Sequence, residues 1–366
     1  MINISSYHLF SLMVLFQFGT TVIFGSGSDS GRDAWITVMI SSLLGGILIA
    51  GYVTIAKFNH FDPFVQWFQR RLGKWLGTPI AWLYPLLFIY TAARIICDLR
   101  FLLPLTLLPK TPEWFFIGVL ILLILYILYA GIEVLFRIAG VLLPVLILFI
   151  LFETIVLLSS GSLHSGYLRP VLADGFGRVL NNVWPVGITT TYGECFAMAV
   201  FWCMLKKKGY LGRISIGATL FAGLFIVLFD VLAITALGEY LFQKMVFPAF
   251  TILKMTSVAD FLENMEVFGA MYFICSAFIK ISVYLFAAVL CIRDLTYSSN
   301  DRLAIWMTTL IAYVMAMSMA NNLTEHLEVW LGSIANIVVV PMYIVLPGII
   351  LMLSLFGKRK RRREAQ

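Results

Sequence analysis

Trp184-Pro185-Val186-Gly187-Ile188-Thr189-Thr190-Thr191-Tyr192-Gly193-Glu194 lies inside an apolar run that extends from about residue 183 to residue 204. The run is long enough to cross a bilayer, because about 20 mostly apolar residues span about 30 Å of hydrocarbon. Its first half nevertheless holds a proline, two glycines, three threonines and a glutamate. Glycine lets the backbone leave the helix, and threonine hydroxyls satisfy some of the freed backbone groups. The pattern predicts a membrane-spanning helix that is broken partway. Phe18-Gly19-Thr20-Thr21, followed by Gly25, repeats the combination of glycine and hydroxyl residues in the first apolar run of the chain.

The rest of the sequence supports a membrane setting. Of 366 residues, 61% are hydrophobic and 12% are charged, about half the charged share of roughly 25% in soluble domains. A soluble fold has too little interior to hide that much apolar surface. Runs such as Leu120-Ile121-Leu122-Leu123-Ile124-Leu125 do not alternate apolar with polar, so a closed barrel is excluded and an all-α integral membrane protein is expected. Ten spans are expected, at about 8–25, 34–56, 79–108, 114–131, 134–158, 183–204, 214–241, 267–292, 303–320 and 329–356. They divide into two sets of five, about 8–158 and 183–356. The two glycine–threonine interruptions then fall in spans 1 and 6, the first of each set, as in an inverted repeat with paired broken helices. Residues 1–357 form a single polytopic unit on this reading, and 358–366 a basic tail. The connections at about 57–78, 159–182 and 242–266 are too short for a globular domain but long enough for amphipathic segments. The start, Met1-Ile2-Asn3-Ile4-Ser5-Ser6, has no basic stretch and no small-residue cleavage site follows, so the first span is expected to be retained.

Orientation follows from lysine and arginine. With the N-terminus inside and ten spans, the inner segments hold 17 of the 26 basic residues and the outer loops 6. Arg94, Arg100 and Lys280 remain within spans. Both termini are therefore expected on the cytoplasmic side. The formal net charge is +7, and most of it sits in Lys358-Arg359-Lys360-Arg361-Arg362-Arg363. Directly after a last span, such a tail fixes topology and touches anionic lipid rather than nucleic acid.

Broken helices expose amide N–H groups suited to a carboxylate, and carbonyls suited to an ammonium or a cation. The expected ligand-binding residues are Gly19, Thr20 and Thr21 in span 1, and Thr190, Thr191, Tyr192, Gly193 and Glu194 in span 6. Lys280 in span 8 joins them. A charge within a span is costly and usually faces the bundle interior or a wet cavity. Arg94, Asp98, Glu153 and Asp230 make up the expected intramembrane charge network. Arg94 and Asp98 are four residues apart and share a helix face. Lys280 has no opposite charge at helical spacing in its own span. It needs a partner from another helix, such as Glu194 or Asp98, or a neutral form.

Other chemistry is not supported. There is no phosphate-binding loop or dinucleotide fingerprint. Cys97, Cys195, Cys203, Cys275 and Cys291 form no C-x-x-C pair, and His8, His60, His164 and His326 are scattered, so no metal site, cofactor or disulfide is expected. A catalytic serine would lack a base, and an enzyme is not expected.

Several motifs in order carry a family resemblance. They are Gly131-Ile132-Glu133-Val134 with Arg137 and Leu142-Leu143-Pro144, then Leu168-Arg169-Pro170-Val171-Leu172 with Gly175, then Tyr192-Gly193-Glu194. Phe247-Pro248-Ala249-Phe250, Asp260-Phe261-Leu262-Glu263 and Phe278-Ile279-Lys280-Ile281-Ser282 follow. Over nearly its whole length the chain resembles the B subunit of bacterial spore nutrient-germinant receptors (GerAB type), a branch of the amino acid/polyamine/organocation transporter superfamily. One departure stands out. After Leu262-Glu263 the family shows an arginine and then an aspartate, where this chain has Asn264 and Glu266. The resemblance implies a leucine-transporter-like (LeuT) fold with a midplane pocket between spans 1, 3, 6 and 8. It implies a complex with an A subunit and a C-subunit lipoprotein in the spore inner membrane, where an amino acid or similar nutrient triggers germination. A transporter that moves an amino acid with a proton or a sodium ion is the alternative.

Overall fold

The computed structural model describes residues 4–206, 208–255, 266–298 and 300–364. Five helices come first: α1 (Ser6–Ile23), α2 (Ala34–Phe58), α3 (Phe64–Thr106), α4 (Glu113–Ala130) and α5 (Ile132–Ser159). The short helices α6 (Phe176–Asn182) and α7 (Ala199–Trp202) flank an irregular stretch, and α8 (Leu211–Lys244) and α9 (Pro248–Met255) follow. The remainder is α10 (Glu266–Thr296), α11 (Asp301–Ser318), α12 (Leu323–Glu328) and α13 (Leu346–Glu364), with wide-turn helix at Val329–Val339 and Pro341–Val345 between the last two.

Among the described residues, eight helical stretches are long and apolar enough to cross a membrane, and the chain is a multi-pass, all-α membrane protein. The stretches contain α1 to α5, α8, α10 and the segment Ile334–Phe356. The other two expected spans are also helical. The segment at 303–320 is α11, whose polar residues include Asp301, Arg302, Thr308 and Thr309. The segment at 183–204 is split, as discussed below.

Exposure divides the helices by environment. α10 is almost wholly buried, packed against α3, α1 and α11. Two thirds of the apolar window in α4 and in α5 is open. Leu122, Tyr126, Leu148 and Ile155 stand on that surface. A contiguous apolar face of this kind needs lipid or another apolar partner.

The first span breaks later than its sequence suggests. α1 runs without interruption through Thr21 to Ile23 and ends in a turn, with Gly25 and Gly27 in the left-handed region (φ 62° and 88°). A threonine inside a helix can return its hydroxyl proton to a carbonyl four residues back, as Thr21 does to Gln17 at 2.9 Å, so the helix continues. The turn needs glycine, which alone takes positive φ at no steric cost. Gly19 and Thr20 lie outside the described side chains, as do the basic residues of the tail. Asp260 to Glu263 and Asn264 lie outside the described residues, and so does the side chain of Glu266.

The long connections carry short helices. The first turns of α3 precede a change of direction at Gly73 (φ 78°). Phe64, Trp67 and Phe68 are buried there against Tyr84 and Phe196. At the opposite end, ion pairs tie the segment after α1, the connection 159–182 and the end of α8. Arg32 Nε donates to Glu239 Oε2 at 2.6 Å, and Arg178 donates to Glu239 Oε1 at 3.2 Å. The Leu172 amide donates to Asp33 at 3.0 Å.

α2 packs closely on α8 and on the irregular stretch because small residues face them. A Cβ on Gly45 would come within 2.7 Å of Tyr192 Cβ, whereas one on Gly51 of the same helix would meet nothing within 4 Å. Gly45→Leu is expected to destabilise the protein by at least about 1–3 kcal/mol, read as a lowered midpoint of thermal unfolding in detergent. Gly51→Leu serves as the control and is expected to leave the midpoint within about a degree, since surface changes are usually within about 0.5 kcal/mol.

Candidate functional site

The interruption of the sixth apolar segment begins just after α6. Trp184 is extended (φ −119°, ψ 131°) within the wide-turn segment Val183–Gly187. Thr189 and Thr190 donate their hydroxyl protons to Pro185 O at 2.9 Å and Val186 O at 2.7 Å. Regular helix is lost over Thr190–Tyr192, and the chain resumes as a tighter helix at Gly193–Met198. Just past this turn the Glu194 side chain lies inside the bundle and is fully buried.

A run of charged side chains meets it there. Lys280 Nζ of α10 lies 2.6 Å from Glu194 Oε2, and Arg94 of α3 lies 4.0 Å from Glu194 Oε1. Arg94 also donates to Asp98 Oδ2 at 3.1 Å, and His326 Nε2 of α12 lies 2.7 Å from Asp98 Oδ1. All five residues are buried. The Lys280 ammonium and the Arg94 guanidinium thus face two carboxylates, Glu194 and Asp98. The guanidinium of Arg94 sits 4.2 Å from the ring centre of Trp330, and Lys280 Nζ lies 5.4 Å from that of Phe16, positions that favour cations.

A cavity of about 360 Å³ lies beside this group, within the roughly 300–1,000 Å³ usual for small-molecule sites. Its wall includes Thr21, the turn Phe24–Asp29, Val186, Thr190, Thr191, Leu327, Trp330 and Arg94. Thr21 Oγ1 and Thr191 Oγ1 are 3.2 Å apart and join α1 to the interrupted segment. Of the residues expected to bind ligand, Thr21, Thr190 and Thr191 thus share one cavity. Tyr192, Gly193, Glu194 and Lys280 are not in its wall. The Tyr192 ring faces Gly45, and Gly193 O accepts from Tyr52 at 3.3 Å. The expected charge network divides likewise. Arg94 and Asp98 join Glu194 and Lys280. Glu153 lies beside Tyr272 instead, and Asp230 is buried on α8. Neither has an ion-pair partner among the described residues.

Trp330 and Tyr52 were not singled out in the sequence, and His326 was read there only as one of four scattered histidines. His326 stands four residues before Trp330, one helical turn apart, a spacing that places both on the face toward Asp98 and Arg94. Among the described residues no three His, Cys, Asp or Glu side chains group as metal ligands.

Breaking one member of a buried pair leaves its partner in a medium that solvates charge poorly. Glu194→Ala is expected to cost about 3–5 kcal/mol, measured by thermal or denaturant unfolding of purified protein. Adding Lys280→Met should recover part of that loss. A double variant whose loss equals the sum of the two single losses would show that the pair is not coupled.

Comparison with known proteins gives the same direction throughout. Residues 3–325 match a protein-family model described as spore germination protein (spore permease). Spore germination protein KB of Bacillus subtilis is 26% identical over 99% of this chain and 97% of its own length. Spore germination protein YndE of the same organism is 30% identical over 53% of both chains. Spore germination protein XB of Bacillus anthracis is 30% identical over 42% of both. With the family model matching residues 3–325, the chain belongs to the spore germination protein family.

Proposed function

We propose that this protein is the B subunit of a spore nutrient-germinant receptor and binds an amino acid or similar small nutrient. The observation that carries the reading is the cavity between the end of α1 and the interrupted sixth segment, with Arg94 linking its wall to Lys280 and Glu194. Ten membrane helices are assigned, the eight long ones plus the interrupted segment and α11. They form a LeuT-like fold with repeats at about 8–158 and 183–356 within one polytopic unit, 1–357. Both termini are cytoplasmic in the spore inner membrane, and the tail 358–366 meets anionic lipid. The turn Phe24–Asp29 then lies toward the outer face, the side from which a nutrient arrives.

The wall of the cavity comes from separate parts of the chain. The turn after α1, residues 181–191, residues 243–246 and Leu327 with Trp330 all contribute. A small ligand touching all of them favours the arrangement in which they approach. It shifts that equilibrium only by its differential affinity, about 5.5 kcal/mol to go from 1:99 to 99:1. The A subunit and the C-subunit lipoprotein read the resulting state. Gly19 and Thr20 are assigned to the same site with Thr21. Tyr192 and Gly193 shape the interruption behind the cavity, and Glu194 and Lys280 fix its orientation. Glu153 and Asp230 complete the set of intramembrane acids.

Transport of an amino acid coupled to a proton or a sodium ion is the second reading. The buried Lys280–Glu194 pair favours it, since such a pair is able to carry a proton between two states. Uptake of labelled amino acids into vesicles that contain only this protein separates the two. Receptor function predicts saturable binding without accumulation. Sustained concentrative uptake would establish transport instead.

Gly193 supplies a genetic test. A Cβ there would stand 3.3 Å from Tyr343 Cβ, so Gly193→Leu presses on Tyr343 and the segment Pro341–Val345 that carries it. Spores with this variant are expected to accumulate the protein yet lose nutrient-triggered germination. Normal germination in such spores would place the ligand site elsewhere.

A further inference from the structure

The three threonine hydroxyls in the cavity wall have a definite polarity. Thr190 donates its proton to Val186 O at 2.7 Å, and Thr21 donates to Gln17 O at 2.9 Å. With Thr21 committed as a donor, the contact between Thr191 and Thr21 uses the Thr191 proton. A hydroxyl has one proton and two lone pairs. All three protons are therefore engaged inside the protein, and what these groups offer the cavity is lone pairs. They suit an ammonium and repel a carboxylate.

Arg94 is the complementary element. It lines the cavity and is 94% buried by residue surface. Asp98 engages one terminal nitrogen at 3.1 Å, while Glu194 stands 4.0 Å from the other. Trp330 beneath the guanidinium, at 4.2 Å, and the Asp98–His326 contact hold the group in place. That second terminal nitrogen is beyond hydrogen-bond distance of Glu194, and a ligand carboxylate supplies the acceptor it lacks. Guanidinium and carboxylate match as paired donors and acceptors. Lys244, the other cation in the wall, is exposed and is screened by water.

We infer that Arg94 is the receptor for the ligand's carboxylate, with the Thr21, Thr190 and Thr191 oxygens facing its ammonium. This rests on the nutrient-binding reading above and narrows it. The ligand class is a free α-amino acid, and a neutral sugar, a nucleoside or an amino acid carboxamide lacks the group that Arg94 reads. Asp98 and His326 act through Arg94 as positioning residues.

The test uses intact spores carrying the full receptor, with the twenty L-amino acids as the panel. Each active amino acid is then compared with its own α-carboxamide. In wild-type spores the carboxamide is expected to need at least about 10-fold more ligand for half-maximal germination, the loss of one charged hydrogen bond. Arg94→Gln should weaken the amino acid by a similar factor and bring the ratio of carboxamide to acid close to one. Arg94→Lys, which keeps the charge, should restore part of the preference. A merely structural arginine would weaken both ligands alike and leave the ratio unchanged. Wild-type protein in nanodiscs gives a second measurement that does not depend on Arg94→Gln accumulating in spores. Phenylglyoxal modification of Arg94, followed by peptide mass spectrometry, should be slowed by the active amino acid and not by its carboxamide.

Equal potency of acid and carboxamide on wild-type spores, or equal protection by the two, overturns the assignment of Arg94 while leaving nutrient binding intact. Germination by a neutral nutrient, with no amino acid active, overturns the amino acid reading and this inference together.

Discussion

Charge buried without water governs the arrangement of this protein. Lys280, Glu194, Arg94 and Asp98 come from α10, the interrupted sixth segment and α3, and each is almost fully enclosed. Removing an ion from water costs several kcal/mol even after relaxation. None of these groups is tolerable alone at that depth, and each helix that carries one must meet a helix that carries its counterpart. The group therefore fixes which helices pack together and how they are rotated. His326 adds α12 to the same center by facing Asp98.

The interruption of the sixth segment is what makes the pairing possible. A continuous helix would carry Glu194 on whichever face its register dictated. The threonine-rich turn breaks that register, and the tight helix Gly193–Met198 presents the carboxylate inward. The same break leaves space between Thr190, Thr191 and the end of α1, where the cavity lies. Cavity and ion pair are consequences of one local departure from regular helix. Arg94 connects the two, because it borders the cavity and approaches Glu194 at 4.0 Å.

Much of this was legible in the chain. The apolar runs mark the helices because lipid imposes length and composition on any span. The combination of Pro185, Gly187 and three threonines marks the sixth break, and Lys280, with no opposite charge at helical spacing in its own span, called for a carboxylate from another helix or a neutral form. The first break was misplaced. Gly19, Thr20 and Thr21 look like an unwinding signal, but Thr21 bonds back to its own helix and the turn waits for Gly25 and Gly27. Composition cannot tell a threonine that relieves a break from one that is content within a helix.

What the sequence by itself determined is the class of protein, the approximate positions of its spans and the short list of charges that had to be matched. Those follow from the solvent, which acts on every residue locally. Only the tertiary structure decided which charges meet. Arg94 was matched to Asp98 by spacing alone, yet its place in the cavity wall, its stacking on Trp330 and the contact of Asp98 with His326 depend on how α3, α12 and the sixth segment cross. Glu153 and Asp230 resembled the other intramembrane acids in sequence and were set apart from the network by the same packing. The reason is physical. Desolvation makes a buried charge seek a partner, but the distances that decide the partner exist only after the helices have packed.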